Sequence, residues 1–221
     1  MEISGIIVGA GKSRRFGSSG KVFLKIKDIP VIYYSIEQFL KSSFIKEVIV
    51  VLNEDNLKNG NEYANLKKVK VIKGGETRAE SVREGVKIAR YGFVLIHDAV
   101  RPLITDDFIQ SIVSSYSDDI DGVIPGIDVK YTIKEKDNEN FVKRTLPRHL
   151  LVEIQTPQLF KKSSLEKVYN KFSLDNITDE AMLIEMSGGK VRIVKGLEEN
   201  IKITTPLDLL FIEGALTKRK K

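Results

Sequence analysis

The apolar positions fall into short continuous runs separated by amphipathic stretches. Ile3–Val8 is apolar apart from Ser4 and Gly5, and reads as a buried strand. Val31–Lys41 has helical spacing, with Val31, Tyr34, Ile36, Phe39 and Leu40 on the apolar side. Glu47–Leu52 carries the five-residue run Val48–Leu52, the mark of a central strand. Val69–Ile72 is a short strand that stops at Gly74-Gly75. Thr77–Arg90 is a helix, opened by Thr77 with Glu80 three residues on, a capping box. Phe93–His97 is a further buried strand ending in Asp98, Asp106–Tyr116 a helix, and Gly122–Pro125 a strand. Apolar strands alternating with helices predict an α/β fold: a Rossmann-like, mostly parallel sheet with helices on both faces. Ligands of such sheets lie outside the carboxyl ends of the strands.

One segment breaks the rhythm. Asp128–Leu146 alternates over Val129–Ile133 and Phe141–Leu146 around the turn-like Lys136–Asn140, and predicts an inserted β-hairpin arm over 128–149 within one domain of 1–221. A hairpin with so few core residues needs a surface to pack on, and a second copy of the chain supplies one.

Composition narrows the choices. The chain has 221 residues, 42% of them hydrophobic, enough for one α/β domain with a core. No apolar run reaches the ~18 residues of a membrane span, and no signal peptide is read at the N-terminus, so the expected setting is cytoplasmic, with no membrane partner. The absence of cysteine excludes disulfides, thiolate metal sites and cysteine catalysis. A charged fraction of 30%, free of Cys and Trp, leans towards a thermophile. The net charge of +6 is not gathered into a nucleic-acid face: only Lys218–Lys221 is dense, and it is short. A small anionic substrate fits the charge better.

The chemistry starts in the loop after the first strand. Gly9-Ala10-Gly11-Lys12-Ser13-Arg14-Arg15 combines glycines, expected to bring the backbone close and to take φ > 0, with hydroxyl and cationic groups. It misses the P-loop pattern, because the first glycine of that pattern would fall on Ile6. It also misses the dinucleotide fingerprint, because the last glycine would fall on Arg14. What remains is G-x-G-x-x-R followed by a lysine, in which Arg15 and Lys21 supply the charge for a phosphate chain. Asp98, at a strand's carboxyl end and facing that loop, is placed to hold Mg²⁺ or another divalent cation, or to cap the segment that follows. His97 reads as a half-buried strand residue and His149 as a solvated loop residue. Gly74-Gly75-Glu76-Thr77-Arg78 reads as a turn and cap, or as a close approach for a nucleobase; Thr178-Asp179-Glu180 alone is a helix start.

In order, Gly9-Ala10-Gly11, Arg15, Lys21, Gly74–Val82, His97–Pro102, Gln155-Thr156-Pro157-Gln158, Thr178-Asp179-Glu180 and Asn200–Thr204 make the chain resemble the 2-C-methyl-D-erythritol 4-phosphate cytidylyltransferase family, from about Ile3 to Leu210. The resemblance implies transfer of CMP from CTP to methylerythritol phosphate with release of pyrophosphate. By motif, Ala10, Gly11, Lys12 and Ser13 would line the triphosphate. Arg15 and Lys21 would neutralise charge near the α-phosphate. Gly75, Glu76, Arg78 and Ser81 would surround cytosine and ribose. Asp98 would hold the metal, with Ala99 and Arg101 beside it, and Thr132, Arg148, Thr156, Thr178 and Lys202 would bind or position the acceptor, Arg148 and Lys202 acting in catalysis as well. The arm would cross a homodimer interface. Two positions depart from the family pattern: Gly20 stands where a proline usually precedes the lysine, and Tyr131 where an aspartate often precedes the hairpin threonine. Three other readings fit part of the pattern: a ribitol-5-phosphate cytidylyltransferase, a transferase using another base or sugar phosphate, and a catalytically silent nucleotide-binding protein.

Overall fold

The computed structural model describes residues 1–11 and 20–219. In chain order the strands are β1 (Ile3–Gly9), β2 (Lys25–Ile26), β3 (Ile29–Pro30), β4 (Ile45–Leu52), β5 (Val69–Lys73), β6 (Phe93–Asp98), β7 (Gly122–Asp128), β8 (Lys134–Lys136), β9 (Val142–Thr145), β10 (Val152–Ile154), β11 (Gln158–Lys161) and β12 (Val191–Lys195). The helices are α1 (Val31–Lys41), α2 (Glu54–Gly60), α3 (Arg78–Ile88), α4 (Asp106–Ser114), α5 (Lys162–Lys171), α6 (Glu180–Met186) and α7 (Pro206–Lys218).

The main sheet runs β10-β7-β11-β6-β1-β4-β5, with β12 also paired to β7. One half is parallel: β6, β1, β4 and β5 are all parallel neighbours. The other half is mixed, because β11 lies antiparallel between β6 and β7. The fold is a Rossmann-like α/β sheet, as the alternation predicts. Both faces are covered. Ile7, Val48, Val50 and Leu52 face one core with Ile36 and Phe39 of α1, Ile109 and Ile112 of α4 and Ile212 of α7. Ile6, Val8, Ile49 and Val51 face the other with Val82 and Val86 of α3, Leu165 of α5 and Leu183 of α6. Alternate residues of one strand thus reach opposite cores, which is why β4 is apolar without interruption.

Several boundaries differ from the sequence reading. α3 stops at Ile88, not Arg90, because Ala89 turns extended and the Arg90 backbone N–H and Nε both donate to the Glu47 carboxylate. α4 stops at Ser114, and Tyr116 instead packs edge-on against Phe93. β7 continues to Asp128 through its pairing with β10 and β12. The arm is a separate two-stranded ribbon, β8–β9, but its first strand is 134–136 rather than 129–133. Lys134 pairs with Thr145, and the Leu146 N–H donates to the Ile133 carbonyl where the ribbon begins. Both faces of the ribbon are exposed, so apolar alternation carries no information about its register.

Parallel pairing lines up the strand ends. Val8 is in register with both Asp98 and Val51, and Leu52 with both Gly9 and Lys73. The loop after β1, the Gly74-Gly75 turn after β5 and Asp98 therefore share one edge.

Candidate functional site

Asp98 is the centre of this edge. Its side chain is 9% exposed and accepts from Nε of Arg78 at 3.2 Å on Oδ1 and from Nζ of Lys202 at 2.7 Å on Oδ2; Nε of Arg101 lies 4.0 Å from Oδ2. Burial works to raise the Asp98 carboxyl, but Arg78 and then Lys202 outweigh it and hold the group far below the usual carboxylate range. Arg78 Nη1 also donates to both oxygens of Glu180, at 3.2 and 2.9 Å. Burial pushes the Glu180 carboxyl up, partly offset by Arg78.

Two clefts meet at this cluster. The smaller, about 170 Å³, is lined by Val8, Gly9, Gly11, Lys21, Val22, Val100, Arg78, Asp98 and Lys202. The larger, about 490 Å³, adds Arg101, Thr156, Thr178, Gln155, Gln158 and Asp179 to the same Arg78, Asp98 and Lys202. The shared three side chains form the wall between the clefts. Lys21 belongs to the small cleft alone, and its Nζ donates to the Ile203 carbonyl at 2.9 Å.

The glycines of the first loop act differently from expectation. Gly20 has φ of +65°, whereas Gly9 and Gly11 are not among the left-handed residues. Gly9 completes β1, and a Cβ there would meet Leu52 Cδ2 at 3.0 Å, so close approach rather than a turn distinguishes this position. Proline, confined to φ near −65°, cannot adopt the Gly20 conformation, which accounts for the departure before Lys21. A Cβ on Gly74 would sit 2.8 Å from Ala10 Cβ and 2.6 Å from Ser81 Oγ. Ala10, the Gly74-Gly75 turn and Ser81 are thus brought together.

The capping box of α3 forms as read: Thr77 Oγ1 accepts from the Glu80 N–H. Glu80 Oε2 also accepts from the backbone N–H groups of Glu76 and Thr77, at 2.8 and 3.0 Å. Ser81 donates its hydroxyl to the Thr77 carbonyl at 2.8 Å. These hydrogen bonds hold the turn in shape. Ala99 is fully buried in the core and its N–H donates to the Val8 carbonyl, so its side chain reaches neither cleft.

His97 is fully buried rather than half-buried. Its Nε2 lies 3.0 Å from the Arg101 carbonyl, an acceptor only, and its Nδ1 lies 2.9 Å from Thr156 Oγ1. Burial holds the imidazole down to about 4, so it is neutral near pH 7, with the proton on Nε2. The Thr156 hydroxyl then donates to Nδ1, while its oxygen accepts from the Asp98 N–H at 3.0 Å. Arg101 donates from Nη1 to the Asn200 carbonyl at 2.7 Å, and Asn200 Nδ2 donates to the Thr156 carbonyl at 2.8 Å. Sequence reasoning missed the pairing of Glu180 with Arg78 and this framework around Thr156. Gln155, Asn200 and Glu180 were visible only as motif members; burial of a polar residue beside a motif was the available signal.

Thr178 is exposed on the larger cleft. Thr132 and Arg148 line neither cleft, and Arg148 Nη1 donates to the Lys130 carbonyl at 2.8 Å. His149 is exposed, as read. Lys12, Ser13 and Arg15 lie outside the described residues. No group of three or more His, Asp or Glu side chains that could hold a metal occurs among the described residues, and no helix among them is long and apolar enough to cross a membrane.

Known proteins are similar to this chain in sequence and fold. The profile of the 2-C-methyl-D-erythritol 4-phosphate cytidylyltransferase family matches residues 3–218. A relative of that name from Caldanaerobacter subterraneus subsp. tengcongensis is 40% identical, covering 99% of this chain and all of the relative. One from Dehalococcoides mccartyi is 36% identical over 98% of this chain and 97% of its own. The crystal structure of a 4-diphosphocytidyl-2C-methyl-D-erythritol synthase from Anaerococcus prevotii superimposes with a TM-score of 0.86 at 28% identity, covering 98% of both chains. Sequence and fold agree, and the chain belongs to the 2-C-methyl-D-erythritol 4-phosphate cytidylyltransferase family.

Proposed function

We propose that this enzyme transfers CMP from CTP to 2-C-methyl-D-erythritol 4-phosphate, giving 4-diphosphocytidyl-2-C-methyl-D-erythritol and pyrophosphate, through the two clefts that share Arg78, Asp98 and Lys202. The single observation that carries the reading is this shared wall: two ligands on either side of it meet at one cluster of two cations bridged by a carboxylate. The small cleft, with Gly11 and Lys21, takes the triphosphate, and the large cleft, with Thr156 and Thr178, takes the acceptor. The ribitol phosphate and silent-binder readings find no support in relatives that carry the methylerythritol name over their whole length.

In the transfer, a phosphate oxygen of the acceptor forms a bond to the α-phosphorus of CTP. The bond from that phosphorus to the bridging oxygen of the β-phosphate breaks, and pyrophosphate leaves with the electron pair. The nucleophile is already an anion, so no general base is required and catalysis is positioning and charge neutralisation. Lys21 and Lys202 face the phosphates from two sides. Arg78, fixed at both ends, keeps a cation on the wall. Arg15 is assigned to the triphosphate on sequence alone.

A divalent cation fits the site in one mode only. Asp98 belongs to no group of three or more possible ligands among the described residues, so it suits Mg²⁺, which is held by one or two carboxylates together with substrate phosphates, and not a metal caged by protein. When bound, Mg²⁺ neutralises and orients the triphosphate oxygens. The acceptor side also draws on the arm: Thr132 and Arg148 are supplied by the second copy of a homodimer. The setting is cytoplasmic.

The test is pyrophosphate release with Mg²⁺, pairing CTP or ATP with methylerythritol phosphate or ribitol 5-phosphate. Rapid release with CTP and methylerythritol phosphate alone is the expected result. Equal turnover of ATP, or preference for ribitol 5-phosphate, overturns it.

A further inference from the structure

Glu180 is a fully buried carboxylate beside the site that lines neither cleft. It stands at the first position of α6, fully buried, beside Ala181, Leu183 and Ile184, which pack into the core. Packing alone would be served as well by an apolar side chain, since a buried ion pair adds little to stability compared with a hydrophobic replacement of similar volume. What Glu180 does that a leucine could not is grip a cation in a defined direction. Both its oxygens accept from Nη1 of Arg78, at 3.2 and 2.9 Å.

Arg78 opens α3, directly after the turn that meets Ala10, and is one of the three residues common to the two clefts. Its guanidinium is a rigid fork. With Nη1 held by Glu180, Nε is directed to Asp98 Oδ1 at 3.2 Å, and Oδ2 is left to Lys202. Glu180 also sits next to Asp179, which caps α6 by accepting from the Met182 N–H, and two residues after Thr178 on the acceptor cleft. Without the Glu180 carboxylate, Nη1 has no partner on that side and the side chain regains rotamer freedom. Each ligand would then have to order it again on binding.

We propose that Glu180 is a positioning residue for the transfer: by gripping Arg78 it fixes the wall between the clefts and sets the affinity for both substrates while touching neither. This rests on the reading of the two clefts as the CTP and acceptor sites.

The full-length protein tests it. Steady-state kinetics of Glu180→Gln, with CTP and methylerythritol phosphate varied in turn, should show both KM values raised by ~5- to 50-fold and kcat within ~3-fold of the parent. A purely structural role lowers the active fraction instead: kcat falls, both KM values stay, and the proposal is overturned. A rise in only one KM also overturns it. In Arg78→Lys, whose single point charge cannot span two carboxylates, adding Glu180→Gln should change kcat/KM by less than ~2-fold; independent multiplication of the two effects rejects the idea that Glu180 acts through Arg78. Should Glu180→Gln not fold, Glu180→Asp keeps the charge but withdraws it by one methylene, and unchanged KM values there count against the proposal. The parent enzyme separates the two failures: no pyrophosphate release from it refutes the assigned reaction, whereas normal release with unchanged KM values in the variants refutes only the role of Glu180.

Discussion

Lys21 and Ile203 are joined by a hydrogen bond of 2.9 Å from the lysine Nζ to the isoleucine carbonyl, across 182 residues of sequence. The preceding residue, Lys202, turns its own Nζ to Asp98. Ile203 is itself anchored, its N–H donating to the Val100 carbonyl. One short segment near the C-terminus thus sets two ammonium groups, one by its backbone and one by its side chain.

Lys21→Ala should lower kcat by ~10²–10³-fold, the scale for removing one preorganised group that meets charge developing in the transition state. The lysine is partly exposed, so the thermal midpoint should move little. Kinetics beside circular-dichroism melts check both halves, and a near-normal kcat rules out the role.

Asp98→Asn should raise the Mg²⁺ concentration needed for half-maximal activity. It also leaves Arg78, Lys202 and Arg101 without their shared counter-charge, costing ~3–5 kcal/mol of stability. A Mg²⁺ titration of activity that superimposes on that of the parent would remove Asp98 from the metal site.

Thr156→Val should strand the Asp98 N–H and His97 Nδ1, both buried, at ~1–3 kcal/mol for each unsatisfied group. Thr156→Ser should recover most of the loss. Urea unfolding of the three proteins decides it; equal midpoints for Val and Ser would mean that the hydroxyl is not engaged as described.

Glu47 gives the pH dependence a sign. Burial works to raise its carboxyl, but the Arg90 N–H, the Ser4 hydroxyl, Arg90 Nε and Lys70 together bring it below the ordinary value of 4.5. The folded state therefore binds this proton less readily than the unfolded one. The contribution is complete above about pH 4.5 and fades as pH falls through the lowered folded value. Glu47→Gln should be less stable than the parent at pH 7, with the gap narrowing towards pH 3. A gap that widens on acidification contradicts the argument.

These contacts explain what the sequence could and could not disclose. β1, α1 and the Thr77–Glu80 cap were legible because their causes are local: apolar runs, 3.6-residue spacing, a hydroxyl three residues before a carboxylate. β11 was not, because four residues become a strand only when β6 and β7 lie on either side to pair with them. The motifs placed Arg78, Asp98 and Lys202 near one edge, but not the ion pairs that link them, since partners 20 and 104 residues from Asp98 leave no local trace. The same holds for Ala99, a small residue beside a motif whose burial only the packed core reveals.

Arg148 and Thr132 line neither of the two clefts described in their own chain, which leads to a mixing experiment. Lys21→Ala and Arg148→Ala proteins should each be nearly inactive. Refolded together in equal amounts, half the dimers are mixed and each has one intact site, so roughly a quarter of parental activity should return under two-fold symmetry. Subunit exchange without recovered activity would mean that Arg148 serves its own chain.

The antiparallel insertion of β11 has a consequence for how the protein is made. Residues 3–98 can pair among themselves as β5-β4-β1-β6, and do so in that order along the sheet. The free side of β6, however, is closed only by residues 158–161. A nascent chain still lacking Gln158 therefore carries a finished parallel block in which the free side of β6 is bare in addition to the outer side of β5, while β7, already synthesised, has no neighbour to join it to that block. Ribosome-bound chains halted before residue 158 should be the ones that pair with each other and aggregate, and those halted shortly after it has cleared the exit tunnel should not.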